Sequence, residues 1–213
     1  MTTLYWGPHT CAIGIHVLLE EIGTHYDTVK LDAAGGETHK QPFASINPKG
    51  KVPVLVRDDG SVLTEYGPIA RWLAYTYPDA GLLPEDKERE IRAQEMMDYT
   101  IGTVHGQGFA RMFMPARFEP SDAVHGTLGL GSGNVRKQGR DMVEEGFAIL
   151  EKQLGHNAYA GGDRFGIADS ALFYAERWAP QVKIDLPPNL AAHFARVKAR
   201  PAVTRVMERW GEA

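Results

Sequence analysis

The chain has 213 residues, 27 acidic and 23 basic side chains, a formal net charge of −4 and 43% hydrophobic residues. This length buries a core without covalent staples, and mixed charges with no basic stripe argue against a nucleic-acid partner. One cysteine, Cys11, excludes an intrachain disulfide, and no stretch approaches the roughly 18 apolar residues of a membrane span, so a soluble cytoplasmic protein is the expectation.

Thr2 to Trp6 reads as a short strand, closed by the turn residues Trp6-Gly7-Pro8-His9. A helix is expected next, because Ile15, Leu18, Leu19 and Ile22 recur at helical spacing. Thr10 stands where an N-cap belongs, Gly23 where the helix should stop, and Cys11 in the first turn. Tyr26 to Leu31 is a second strand, and the βαβ unit so formed should pair its strands in parallel. Glu37 to Ser45 suggests a short irregular helix, followed by the loop Ile46 to Gly50. The apolar run Val52 to Val56, the turn Asp58-Asp59-Gly60 and Ser61 to Thr64 read as an antiparallel hairpin. After Glu65 the pattern turns helical, with Ile69, Trp72 and Leu73 on one face and Tyr77-Pro78 as the stop.

The order β-α-β-α-β-β-α predicts an α/β layer over residues 1–78. Residues 79–86 read as a linker, and 87–213 as an all-helical domain. Its expected helices span about Lys87 to Met114, Asn134 to Leu154, Ile167 to Ala179, Leu190 to Lys198 and Ala202 to Trp210, with a mobile loop at Gly126 to Gly133. That loop lacks the preceding strand and the following Lys-Ser/Thr of a phosphate loop. His9, His16, His25 and His39 have no metal-ligand spacing, and Met96, Met97, Met112 and Met114 read as core or cleft lining.

Three features carry chemistry. Cys11 at a helix N-terminus is either a thiolate stabilised by free N–H groups or a small buried hydrophobe. Val52-Pro53 is either a trans proline entering a strand or a cis bond that turns the Val52 N–H and C=O outward for an extended peptide ligand. Glu65-Tyr66 joins a strand to a helix N-terminus, where N–H groups can take a carboxylate and Glu65 an ammonium, together an α-amino acid head group.

Leu4-Tyr5-Trp6 followed by Cys11 and His16, the run Ile46 to Leu55, Leu63-Thr64-Glu65 with Ile69, Asp98-Tyr99 with His105, and Phe165-Gly166-Ile167-Ala168-Asp169 together resemble the glutathione transferase superfamily, closest to its bacterial beta class. The resemblance spans nearly the whole chain and implies a thioredoxin-like domain followed by a helical one. It implies glutathione as co-substrate, held by Thr10, Val52, Pro53, Glu65, Tyr66 and Asp98 with Cys11 and His105 at its sulfur, and no metal. It further implies a second small electrophilic substrate in an apolar pocket, and a homodimer. Tyr66 departs from the usual serine, Gly106 from a frequent lysine, and Gly166 from the usual hydroxyl cap at an expected cost of about a few tenths of a kcal/mol. Glutathione conjugation is the leading expectation. A thiol transferase using a Cys11 mixed disulfide and a non-enzymatic binding protein of the same fold are the alternatives.

Overall fold

The computed structural model describes residues 1–119 and 132–212, so most of the glycine-rich segment 126–133 lies outside the described residues. Four short strands, β1 (Thr3–Trp6), β2 (Asp27–Lys30), β3 (Val54–Val56) and β4 (Val62–Thr64), form one sheet in the order β2-β1-β3-β4. β1 runs parallel to β2 and antiparallel to β3, and β3 runs antiparallel to β4 with Val54 opposite Thr64. The mixed sheet follows from the connections. A helix joins β1 to β2, whereas the tight turn before Ser61 returns β3 onto β4.

Helix α1 (Ala12–Ile22) packs on the sheet through Ile13, Ile15, Leu18 and Leu19, all fully buried, and ends at Gly23, whose φ of 72° lets its N–H bond the Leu19 carbonyl. α2 (Phe43–Ile46) is one turn, and α3 (Tyr66–Thr76) buries Ile69, Ala70 and Leu73. Both Val52-Pro53 and Gln41-Pro42 are cis; only the first was among the alternatives read from sequence.

The remainder is helical. α4 (Lys87–Tyr99) starts at Asp86, whose carboxylate accepts from the Arg89 N–H. It runs on through a ten-residue π-helical stretch, Thr100–Phe109, into α5 (Ala110–Phe113). The sequence pattern predicts one long helix here and gives no sign of the widened turns. α6 (Ser132–Leu154), α7 (Ile167–Trp178), α8 (Pro188–Lys198) and α9 (Pro201–Trp210) fall within about two residues of their predicted spans.

α7 is the axis of this half: every residue from Ile167 to Trp178 is buried, the polar Asp169, Ser170, Glu176 and Arg177 included. Asp169 starts the helix by accepting from the Gly166 and Ala160 N–H groups, both at 2.7 Å. Gly166 is more than a tolerated cap. A Cβ there would stand 2.5 Å from the Leu82 carbonyl, which accepts from the Ile167 N–H, so the linker can close on α7 only over a glycine.

α1 carries two of the contacts between the halves. α1 approaches α7 so closely at Gly14 that a Cβ would lie 2.6 Å from the Ser170 carbonyl and 2.2 Å from the Tyr66 hydroxyl. α9 returns to α1: Trp210 stacks on Trp6 with centroids 4.3 Å apart and donates its indole N–H to His16 Nδ1 at 2.9 Å. Around that contact Arg200 grips Glu21, while Arg205 and Arg209 both reach Glu20.

Candidate functional site

The loop from β1 to α1 sets the sulfur. Thr10 does not cap α1: its hydroxyl donates to the Gly7 carbonyl at 2.7 Å, closing the turn locally, and Cys11 occupies the cap position ahead of Ala12. The Cys11 thiol faces the Val52 carbonyl at 4.0 Å, within the reach of a weak sulfur hydrogen bond. Only 8% of the residue is exposed, and burial pushes its pKa up to about 12; its backbone hydrogen bond, Arg177 and Lys51 pull the other way, and Glu65 adds to the rise. Of the two readings open from sequence, the structure thus favours a buried, protonated thiol, because desolvation outweighs the helix N-terminus.

Val52 stands just outside the sheet ladder, which begins at Val54, so its backbone groups make no strand pairing. Continuing the β3–β4 register brings Pro53 level with Glu65. Glu65 has φ 72° and ψ 138°, a conformation rare for a residue with a side chain and of the kind held at ligand sites at about 1–3 kcal/mol. Its carboxylate is half exposed and accepts from Lys49 Nζ at 2.7 Å, and the same ammonium donates to Thr64 Oγ1 at 2.9 Å. An internal lysine therefore occupies the place where a ligand ammonium is expected.

Tyr66 opens α3 and leaves the first N–H groups of that helix free for a carboxylate. Its ring turns away from them. Only 3% exposed, it fills the space above Gly14, with its hydroxyl 2.7 Å from Ser170 Oγ. The replacement of a small hydroxyl residue is thus explained by packing: the phenol joins α1, α3 and α7.

His105 lies in the π-helical stretch, half-buried, with Nδ1 3.2 Å from the Tyr174 hydroxyl and its ring edge-on to Trp178 at 4.8 Å. Burial, aided by Lys51, lowers its pKa to about 4, so the imidazole is neutral at pH 7. A Tyr174 hydroxyl that donates to Nδ1 leaves the imidazole proton on Nε2, from which it can be donated onward. Tyr174 and Tyr66 stay protonated, since burial raises both well above the ordinary phenol value and Cys11 adds to the rise. Phe109, Phe113 and Trp178 form an aromatic wall beyond His105, and Phe113 and Met114 are exposed.

Asp98 is solvent-exposed, and its carboxylate is held by Arg71, which also donates to Gln94 at 2.7 Å; the pair stands beside Gly67 in the first turn of α3. Asp98 thus stands beside the first turn of α3, held there by Arg71. Sequence reasoning missed Lys49, Lys51, Tyr174 and Arg177. A signal for the last two existed: Tyr174, Glu176 and Arg177 stand, with Asp169 and Ser170, in a helix whose remaining residues are all apolar.

The profile described as the glutathione S-transferase N-terminal domain matches residues 10–76, and that of the C-terminal domain matches 133–209. Glutathione S-transferase GstA of Escherichia coli O157:H7 is 30% identical over 204 residues, covering 94% of each chain. A glutathione transferase homolog from Sulfitobacter, solved with bound glutathione, superposes with a TM-score of 0.89 at 26% identity over 100% of this chain and 99% of its own. The beta class glutathione S-transferase of Sphingomonas chungbukensis gives a TM-score of 0.81 at 30% identity over 99% and 100% of the two chains.

Proposed function

Because the chain belongs to the glutathione S-transferase family, we propose that it binds glutathione across Cys11, Val52-Pro53 and the start of α3, and activates the glutathione thiol for attack on small apolar electrophiles. The observation that carries this placement is the Cys11 thiol facing the Val52 carbonyl outside the strand ladder, one register step from the strained Glu65. The ligand's α-carboxylate lies at the free N–H groups of Tyr66 and Gly67, and its ammonium replaces Lys49 Nζ on Glu65. The cysteinyl backbone pairs with Val52 beside Pro53 and Thr10 as an added strand.

Attack requires the glutathione thiol to give up its proton, which passes to solvent water because Cys11 and His105 both act as donors here. The thiolate is then stabilised by uncharged donors, the Cys11 S–H and the His105 Nε2–H, which Tyr174 orients. The sulfur electron pair forms the new S–C bond to an electrophile lying against Phe113 and Met114, as that carbon's bond to its leaving group breaks and the group departs with the bonding pair. A thiol held near pKa 12 is a poor nucleophile at neutral pH, which supports conjugation over exchange through a Cys11 mixed disulfide.

We also propose that residues 79–86 divide the two domains, that the protein is a cytoplasmic homodimer, and that each sheet domain faces the partner's helical domain. A single unpaired cysteine and the frequency of twofold pairs support this reading. No helix among the described residues is long and apolar enough to cross a membrane.

Calorimetric titration of reduced glutathione into the wild type and Glu65→Ala tests the site. Saturable binding weakened about tenfold, roughly 1.4 kcal/mol for one half-exposed charged hydrogen bond, is expected. Binding unaffected by the substitution removes Glu65 from the site, and no binding in either protein removes the reading. Cys11→Ala is expected to keep measurable conjugation.

A further inference from the structure

Arg177, at the end of α7, has no part in the mechanism above, yet it is 6% exposed and points at the thiol loop. Its Nη2 donates to the Thr10 carbonyl at 3.2 Å, its Nη1 pairs with Glu212 just beyond α9, and the guanidinium stands 5.8 Å from the centre of the Trp210 ring. Its Nε is buried with no hydrogen-bond partner among the described residues. Glu212 also touches the other side of the loop, with Oε1 3.4 Å from His9 Nδ1. A buried guanidinium and its carboxylate thus clip residues 9 and 10 immediately before Cys11.

Burying a guanidinium is expensive, and the Thr10 carbonyl needs only an uncharged donor. What a cation adds is potential. A positive charge beside a thiol favours the thiolate, a carboxylate beside that cation reduces the effect, and both act strongly away from water. Arg177 is among the charges that lower the Cys11 pKa, with Lys51 on the same side and Glu65 opposed.

We propose that Arg177 is a positioning residue of the thiol site, fixing the Thr10-Cys11 backbone and supplying positive potential there, and that Glu212 sets how much of that potential reaches the sulfur. In turnover the same potential acts on the glutathione thiolate, and that part alone rests on the function proposed above.

The test needs no glutathione. Cys11 is the only cysteine, so its alkylation by iodoacetamide can be followed by mass in the full chain between about pH 7 and 9.5, where the rate tracks the thiolate fraction. Glu212→Gln, which keeps a side chain that can still accept from Arg177, is expected to raise the rate several-fold at every pH. Arg177→Met is expected to lower it several-fold, and Arg177→Lys to fall between Arg177→Met and the wild type. Loosening of the loop uncovers the thiol and accelerates all three variants, so a common increase overturns the proposal. A Glu212→Gln rate equal to that of the wild type overturns it as well, and that variant decides the matter if Arg177→Met does not fold. Calorimetry with glutathione on the same proteins reports separately on the proposed function.

Discussion

His16, under α9, and His193, under α7, are both buried to within 1% of full enclosure, yet they hold opposite charge states. His16 accepts the Trp210 indole N–H on Nδ1, and its pKa falls to about 4, chiefly through burial, with Arg209 adding to the fall and Glu20 opposing it. His193 lies between two carboxylates, with Nδ1 2.9 Å from Glu176 and Nε2 3.0 Å from Asp169, and its pKa rises to about 10 although burial works against it. Enclosure alone therefore does not decide the protonation of an imidazole. Left to itself it gives the neutral ring, as at His16, and two carboxylates overturn it at His193.

The largest effect should come from breaking the charged side. His193→Ala leaves Glu176 and Asp169 buried without their cation, and Asp169 also starts α7, so a loss of about 3–5 kcal/mol is expected. That is on the order of 6–20 °C in Tm for a chain of this size, measurable by calorimetry; a loss under about 1 kcal/mol would show that the triad carries no charge.

Next in size is the pH dependence. His16 has a folded pKa below its ordinary value of 6.5, so its contribution is complete above pH 6.5 and is lost as pH falls towards 4, by roughly 3 kcal/mol at most. His193 has a raised folded pKa, so its contribution is complete below pH 6.5 and declines as pH climbs towards 10. Urea denaturation of His16→Phe should therefore lose part of the acid limb and keep the alkaline decline. An unchanged acid limb assigns it to other groups, His105 among them.

At neutral pH the same substitution orphans the Trp210 indole N–H, a smaller loss of about 1–3 kcal/mol. A surface pair sets the floor: Lys137, bonded to Asp141 at 2.6 Å on α6, should cost less than about 0.5 kcal/mol when replaced by Ala. A larger loss there would mean that exposed pairs matter in this fold as much as enclosed ones.

The sheet half was legible because its cues are local. Turn residues, alternating runs and Gly23 each mark their own element, and Glu65 and Val52-Pro53 lie on those elements. With one local exception, at Thr10, the misses are matters of distant contact. Thr10 has the right type for a cap but spends its hydroxyl on Gly7, and Tyr66 reads as an odd helix start until Gly14 and Ser170 are placed around it. Cys11 sits at a helix N-terminus, as its spacing indicates, yet its titration is governed by burial that no local pattern reveals. The π-helical stretch keeps a helical residue pattern, so its widened turns leave no mark in the sequence.

The stacking of Trp6 on Trp210 also has a consequence in time. The two rings are separated by 204 positions, so the face of α1 around His16, Glu20 and Glu21, which Tyr26 covers in part, stays incompletely covered until α9 has been made. At about 5–20 residues per second of ribosomal synthesis, that interval is roughly 10–40 s. During it the nascent sheet half carries a partly open tryptophan and two carboxylates awaiting their arginines, so its surface is completed only once α9 is made.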